Sequence, residues 1–268
     1  MTAASPAPAG TTAPPAAPAA DAGLLIPISR SAGPLRTVVL HPAGGGLGPY
    51  LGLAAALARY GPVSGIRAPG LLPGEEPDDS VPGMTARYLR LIDRLESPVG
   101  LLLGWSLGGL LAWELAGRLA ARGERPRVVM LDSPALPPAH DGRDGRDRAA
   151  LRERVIDSAG TTGHDTELVV RTTDAHLRAL TRHTVRGGYD HPALLLSCAA
   201  EPDAAAHLAH WRTVAPGLRT VSVPCGHFDL LTPPRLRTTT GLVTDFLRDT
   251  GPAGPAPASP IRPAEEHP

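Results

Sequence analysis

Residues 104–109 read Gly104-Trp105-Ser106-Leu107-Gly108-Gly109, and the serine inside this run has the clearest chemical use in the chain. The run follows the apolar stretch Val99-Gly100-Leu101-Leu102-Leu103 and opens a stretch with helical spacing, so Ser106 falls at a strand-to-helix turn. A turn this tight strains the serine backbone, and Gly104 and Gly108 remove the Cβ atoms that would collide with the neighbouring strand and helix. The hydroxyl is then presented above the sheet, in position to attack an acyl carbon. A chain with 30 glycines produces Gly-x-Ser-x-Gly by chance easily enough. The strand before the motif and the helix after it are what give it meaning.

A serine hydroxyl is a weak nucleophile until a base takes its proton. Of ten histidines, His227 stands out, because Pro224-Cys225-Gly226-His227-Phe228 directly follows the last apolar run, Thr220-Val221-Ser222-Val223. The base needs a carboxylate that fixes its tautomer and stabilises the imidazolium. Asp132, straight after Val128-Val129-Met130-Leu131, and Asp203, in Ala200-Glu201-Pro202-Asp203 after the next strand, both fit, and spacing leaves the choice open. His207 and His210 have i,i+3 spacing but no third ligand, so they read as a polar helix face rather than a metal site. His140, His164, His176, His183 and His191 are expected on the surface of an insertion. Cys225, two residues from the base on the same loop, reads as a small buried residue.

Charge developing on the acyl oxygen needs N–H donors. The run His41-Pro42-Ala43-Gly44-Gly45-Gly46 follows the apolar Thr37-Val38-Val39-Leu40, and its glycines let backbone approach a substrate. The expected donors are the Gly44 and Leu107 amides. The competing reading, a phosphate-binding glycine loop, lacks an acidic partner at the end of a following strand. No metal or organic cofactor is called for by this chemistry.

The elements that must position these residues alternate along the chain. Runs at 37–40, 63–66, 99–103, 128–131, 194–197 and 220–223 are short and apolar without strict alternation, as suits strands buried on both faces. Between them, residues 50–59, 82–95, 107–122, 207–215 and 235–247 carry apolar residues at helical spacing. The expectation is an α/β fold: a doubly wound, mostly parallel sheet with binding loops at the C-terminal edge. Residues 133–192 break the rhythm, with helical patterns near 147–158 and 174–184 and no strand, and are expected to form a mobile helical lid over Ser106. Within them, Asp141-Gly142-Arg143-Asp144-Gly145-Arg146-Asp147-Arg148 reads as a solvated hinge.

Composition bounds the rest. The 268 residues suit one large domain, here 23–250, and residues 1–22 and 251–268, rich in proline and alanine, read as disordered tails. Lysine is absent, and 26 arginines balance 26 acids to a net charge of zero, which argues against nucleic acid or an anionic membrane as partner. Two cysteines are too few for a disulfide framework. The apolar runs fall short of the roughly 18 residues of a membrane helix, and residues 1–22 lack a secretory h-region. A cytoplasmic setting is expected.

Taken in order, His41-Pro42-Ala43-Gly44-Gly45, Ile66-Arg67-Ala68-Pro69-Gly70-Leu71, Gly74-Glu75-Glu76, Gly104-Trp105-Ser106-Leu107-Gly108-Gly109, Ala112-Trp113-Glu114-Leu115-Ala116, Leu131-Asp132-Ser133 and Gly226-His227-Phe228 resemble the thioesterase domains that end nonribosomal peptide synthetases and polyketide synthases. The likeness runs from about residue 35 to 247 and implies an α/β-hydrolase fold, in which Ser, acid and His follow one another in that order. It favours Asp132 as the acid, since in this family the acid follows the strand after the nucleophile helix; stand-alone editing thioesterases more often carry it one strand later. The implied substrate is an acyl or peptidyl chain held as a phosphopantetheine thioester on a carrier protein, passed to serine and released by water or an internal nucleophile. With no carrier domain in the chain, the resemblance implies action in trans or an excised terminal domain. It also places Cys225 where the family commonly has glycine or another small residue. A carboxylesterase or lipase of the same fold, or an acyl-shuttling module without turnover, are the alternatives. Substrate identity and the choice of hydrolysis or cyclisation depend on lid shape and pocket volume.

Overall fold

Strands β2 (Thr37–Leu40), β3 (Val63–Ile66), β4 (Leu101–Trp105), β5 (Arg127–Leu131) and β6 (Ala193–Cys198) are buried almost throughout. Side chains on successive residues leave a strand on opposite faces, so a continuous apolar run needs cover on both. In the computed structural model, which describes residues 21–137, 144–160 and 165–251, that cover is present. Val38, Leu40, Leu102, Val128, Met130 and Leu195 enter one core with α2 (Val81–Ile92), α3 (Leu107–Ala120) and Trp211 of α6 (Ala204–Val214). Val39, Leu101, Leu103, Val129 and Leu131 enter the other with α1 (Leu51–Leu57) and α7 (Arg235–Asp249).

With β1 (Leu25–Ser29) and β7 (Arg219–Val223) at the edges, the sheet order is β1-β3-β2-β4-β5-β6-β7, and every pair is parallel except β1 with β3. The chain therefore has the doubly wound α/β-hydrolase arrangement, with β4, the strand before Ser106, near its centre. Strand β1 was not expected. Its sequence, Leu-Ile-Pro-Ile-Ser, carries a proline, which argues against a ladder position but is tolerated at an edge, and the register shifts beside Pro27.

The described fold begins at Asp21, inside the stretch that composition assigns to a tail. Its buried carboxylate pairs with Arg87 at 2.6 Å and Arg90 at 3.5 Å, a long-range contact invisible to composition. Residues 1–20 and 252–268, the rest of both expected tails, lie outside the described residues. Among the described residues, no helix is long and apolar enough to cross a membrane.

The insertion after β5 holds two helices, α4 (Asp144–Gly160) and α5 (Thr166–Thr181). Because α4 begins at Asp144, part of the expected hinge is helical; residues 138–143 and 161–164 lie outside the described residues. Helix α5 starts well before the expected 174–184 pattern, since the Asp165 carboxylate accepts the Glu167 N–H at 2.8 Å and caps it. It buries Val169, Thr172, Thr173, Ala175, His176 and Ala179. His176, expected on the surface, is thus fully enclosed, because α5 packs into the body of the domain. His207 and His210 are not a solvated face either. His207 Nδ1 accepts the N–H groups of Ala135 and Leu136 at 3.2 and 3.4 Å, His210 Nε2 donates to Val185 O at 3.0 Å, and the Trp211 indole donates to Ser133 O at 2.9 Å. Together they hold both stems of the insertion.

Candidate active site

Ser106 joins β4 to α3 with φ 57° and ψ −124°, a left-handed backbone that a side-chain-bearing residue adopts at a cost of about 1–3 kcal/mol. Close approach by glycine permits it. A Cβ on Gly104 would lie 2.0 Å from the Gly108 carbonyl carbon, and one on Gly108 would lie 2.2 Å from Leu40 O. A Cβ on a third glycine, Gly109, would fall 1.9 Å from Ser133 Oγ, a side chain that can turn aside, and 2.9 Å from Gly104 O. The Ser106 N–H donates to Leu131 O at 2.9 Å, fastening the turn to the end of β5.

Asp132 follows β5 directly, also with positive φ, at 46°. Its N–H donates to Leu196 O at 2.7 Å and its Oδ1 accepts the Cys198 N–H at 2.8 Å, which leaves Oδ2 facing the loop after β7. There it accepts from His227 Nδ1 at 2.7 Å. A nitrogen that donates to a carboxylate carries the proton, so in the neutral ring Nε2 is the basic atom. Asp203, the competing acid, stands at the N-terminus of α6 and lines an adjoining cavity. The His227 loop is held by Glu201, whose Oε1 accepts the His227 N–H at 2.7 Å, and by Asp229, whose Oδ2 accepts the Gly226 N–H at 3.0 Å. The imidazole lies against Trp105, ring centroids 5.0 Å apart, and Phe228, 5.1 Å.

Ser106, His227 and Gly44 line one narrow cleft, with Val155 and Ser158 of α4 across from them. Two larger spaces adjoin it. One of about 420 Å³ reaches Asp132, Leu180, Leu195 and Leu208. The other, an open groove of about 920 Å³, runs past Leu47, Leu51, Arg67 and Leu231. Arg154 borders both, its guanidinium carbon 4.2 Å above the Phe228 ring centroid.

The loop after β2 turns at Gly45, φ 80°, whose N–H donates to Pro42 O at 2.8 Å. Leu107 is the first residue of α3, so its N–H is among those a helix leaves without an acceptor of its own. Tyr50 spans the two loops: its buried hydroxyl donates to Leu40 O at 2.6 Å and accepts the Trp105 N–H at 2.7 Å. Neither Tyr50 nor Glu201 is singled out by the sequence. Glu201 stands two residues before Asp203, in a tract already of interest, whereas no local pattern marks Tyr50. Arg67 and Glu75 form a two-pronged ion pair at 2.7 and 2.5 Å, and Glu75 also accepts the Gly70 N–H at 2.9 Å. Burial pushes the Glu75 carboxyl up, but the hydrogen bonds and charge of Arg67 and the Gly70 and Leu72 amides outweigh it and hold it below its usual range. Cys225 is buried as expected, its sulfur 3.7 Å from that of Cys198. Burial pushes its thiol up, away from the reactive thiolate.

Comparisons with known proteins identify the family. The sequence model of the thioesterase domain matches residues 36–246. A dimodular nonribosomal peptide synthase of Bacillus subtilis (strain 168) is 35% identical over 113 residues, 41% of this chain. Malpibaldin synthetase of Mortierella alpina is 36% identical over 115 residues, 42% of this chain. The matched stretches cover only 5% and 2% of those long proteins. Among solved structures, the Vlm2 thioesterase domain bound with a dodecadepsipeptide superposes with a TM-score of 0.69 at 22% identity, over 86% of this chain and 99% of that one. RedJ, with a PEG molecule in its active site, gives 0.68 at 27% identity, over 81% and 95%. The NocB thioesterase domain, in covalent complex with a fluorophosphonate nocardicin G analog, gives 0.64 at 24%, over 81% and 96%. With a family match that spans most of the chain, an α/β-hydrolase sheet and a serine at its strand-to-helix turn, this chain belongs to the thioesterase-domain family, of the kind found in nonribosomal peptide synthetases.

Proposed function

We propose that the chain releases an acyl or peptidyl group from the phosphopantetheine arm of a carrier protein through an acyl-enzyme on Ser106. The observation that carries this reading is the 2.7 Å bond from His227 Nδ1 to Asp132 Oδ2, made beside the cleft that Ser106, His227 and Gly44 line together. In the first step the Ser106 Oγ attacks the thioester carbonyl and its proton passes to His227 Nε2, while Asp132 stabilises the imidazolium. The negative oxygen is met by the N–H groups of Gly44 and Leu107. Collapse of the tetrahedral intermediate breaks the carbon–sulfur bond, and His227 returns the proton to the departing thiolate. In the second step water, or a nucleophile within the acyl chain, loses a proton to His227 and attacks the ester carbonyl; collapse breaks the bond to Ser106 Oγ, which takes the proton back from His227, and the free acid or the cyclic product leaves. The long synthetases to which the chain is similar support a carrier protein as the donor.

The test is intact-mass analysis after mixing with an acyl-N-acetylcysteamine thioester. A covalent acyl adduct that maps to Ser106 and is lost in Ser106→Ala, together with turnover, is the expected result. Turnover by Ser106→Ala within about tenfold of the parent overturns the reading, since loss of such a nucleophile costs several orders of magnitude. A preference for matching oxygen esters over thioesters would instead indicate a carboxylesterase.

A further inference from the structure

Three buried groups beneath the loop after β2 have no part in the chemistry above. His41 donates from Nδ1 to Pro42 O at 2.8 Å, and its Nε2 accepts the Tyr88 hydroxyl at 2.5 Å. His176, from α5, stacks on His41 with ring centroids 4.9 Å apart, and its Nδ1 lies 2.6 Å from Ala43 O. A carbonyl oxygen only accepts, so Nδ1 carries the proton in both rings. Two parallel imidazoles thus hold two successive carbonyls of the loop.

The consequence follows from peptide geometry. In a planar trans peptide the C=O of one residue and the N–H of the next point in opposite directions. Fixing the Ala43 carbonyl toward α5 therefore directs the Gly44 N–H to the other side, and Gly44 lines the cleft shared with Ser106 and His227. We infer that His176 is a positioning residue, which through the Ala43 carbonyl aims the Gly44 amide at the oxygen of the reacting acyl group. The inference rests on the serine mechanism proposed above, with Gly44 as a donor.

A second observation points the same way. His176 Nε2 is buried and, among the described residues, has no hydrogen-bond partner. An imidazole with one orphaned nitrogen is a poorer way to fill a core than leucine. What it supplies that leucine does not is the N–H on Ala43. Burial keeps the ring neutral, with its pKa lowered to about 4, so the bond is that of a neutral donor at working pH. The flanking packing is tight: a Cβ on Gly45 would come within 3.2 Å of Thr172 Cγ2, and one on Gly70 within 2.6 Å of Thr172 Oγ1. The helix that carries His176 is thereby seated on the loop it orients.

The test compares His176→Asn, His176→Gln and His176→Leu with the parent and with Ser106→Ala, using an acyl-N-acetylcysteamine thioester and an alkylboronic acid that forms a tetrahedral adduct on serine. The asparagine amide occupies the position of Nδ1, whereas the glutamine amide extends toward that of Nε2. The expected result is a kcat lowered roughly 10- to 100-fold in the Gln and Leu variants, with KM within about twofold. Boronate affinity should fall in parallel, and the Asn variant should stay within about threefold of the parent. Equal kcat for Asn and Gln, or a loss confined to KM with boronate affinity unchanged, overturns the inference while the serine reading stands. Should the Leu variant not fold, the Asn and Gln pair decides. Parent-like turnover and boronate binding by Ser106→Ala would instead remove the serine mechanism, and the inference with it.

Discussion

Ser106 and Asp132 share an unusual property: both are non-glycine residues with positive φ, at 57° and 46°, at the ends of adjacent strands β4 and β5. Each strained backbone turns a side chain out at the sheet edge, and each is held by main-chain bonds to the next strand, Ser106 to Leu131 O and Asp132 to Leu196 O. Strain of this sort persists only where surrounding bonds enforce it. Asp132 gives the sharper test of the two. In the proposed mechanism Asp132→Asn would remove the charge that supports the imidazolium and disturb the tautomer, so kcat is expected to fall by about 10²- to 10⁴-fold. Asp203→Asn should stay within about threefold, and the reverse ranking in steady-state kinetics would exchange their roles. Glu201 acts one bond further out, on the His227 main-chain N–H. Glu201→Ala leaves that N–H without its acceptor and should lower kcat by roughly tenfold, whereas Glu201→Gln, which keeps an acceptor oxygen, should recover most of it.

At the level of elements, the site depends on how the ends of β2 and β4 are joined. These strands pair in register, Leu40 beside Gly104, and the Tyr50 hydroxyl closes the gap just above, bonding Leu40 O and the Trp105 N–H. Tyr50→Phe preserves the ring and leaves two buried main-chain groups unpaired. A stability loss of about 2–4 kcal/mol is expected, measurable by urea unfolding, with lowered kcat in the folded fraction because the loops on both strands lose their tie. The insertion divides into unlike halves. Helix α5 buries six residues against the domain and reaches the loop after β2 through His176, while α4 faces the cleft with Val155 and Ser158. Hydrogen exchange should accordingly find α5 amides protected nearly as well as the sheet and α4 amides exchanging faster. Uniformly fast exchange across both helices would return α5 to the status of a mobile lid.

For the molecule as a whole, the paired imidazoles make acid stability a readout of the core. Burial, and for His41 also the neighbouring His176, lowers His41 to about 3; burial lowers His176 to about 4. The ordinary value in an unfolded chain is about 6.5. Between these limits the unfolded chain binds protons that the folded one refuses, so stability is complete above about pH 6.5 and declines as pH falls toward 4. Among the described residues, the other ionisable group bonded to the pair is Tyr88, whose hydroxyl burial pushes well above its usual range and which stays neutral throughout. A His41→Phe, His176→Phe double variant is expected to flatten the unfolding free energy between pH 4 and 6.5. An unchanged slope would show that other groups dominate acid unfolding.

Much of this architecture was legible in the chain itself. Strands β2 and β3 span the residues that their short runs without strict alternation predict, and the Gly-x-Ser-x-Gly run, the glycine loop after β2 and the residues after β5 and β7 all announce one edge of the sheet, because local periodicity and turn chemistry act over a few residues. Strand β1 was not legible, since Pro27 contradicts its neighbours unless the edge position is known. Nor were Asp21, Tyr50, Glu201, His176, His207 and His210, each of which reads locally as tail, helix start, turn or polar surface. Their partners lie far away in sequence, at Arg87, Trp105, His227, Ala43, Ala135 and Val185. The choice between Asp132 and Asp203 is of the same kind. Both follow strands at the correct edge, and only the folded path of the loop after β7 decides which carboxylate meets His227. Residue types and short spacings determine which elements form and what chemistry each end can offer. Which groups meet is decided by the folded chain, because a hydrogen bond made across a hundred residues leaves no periodic trace in sequence.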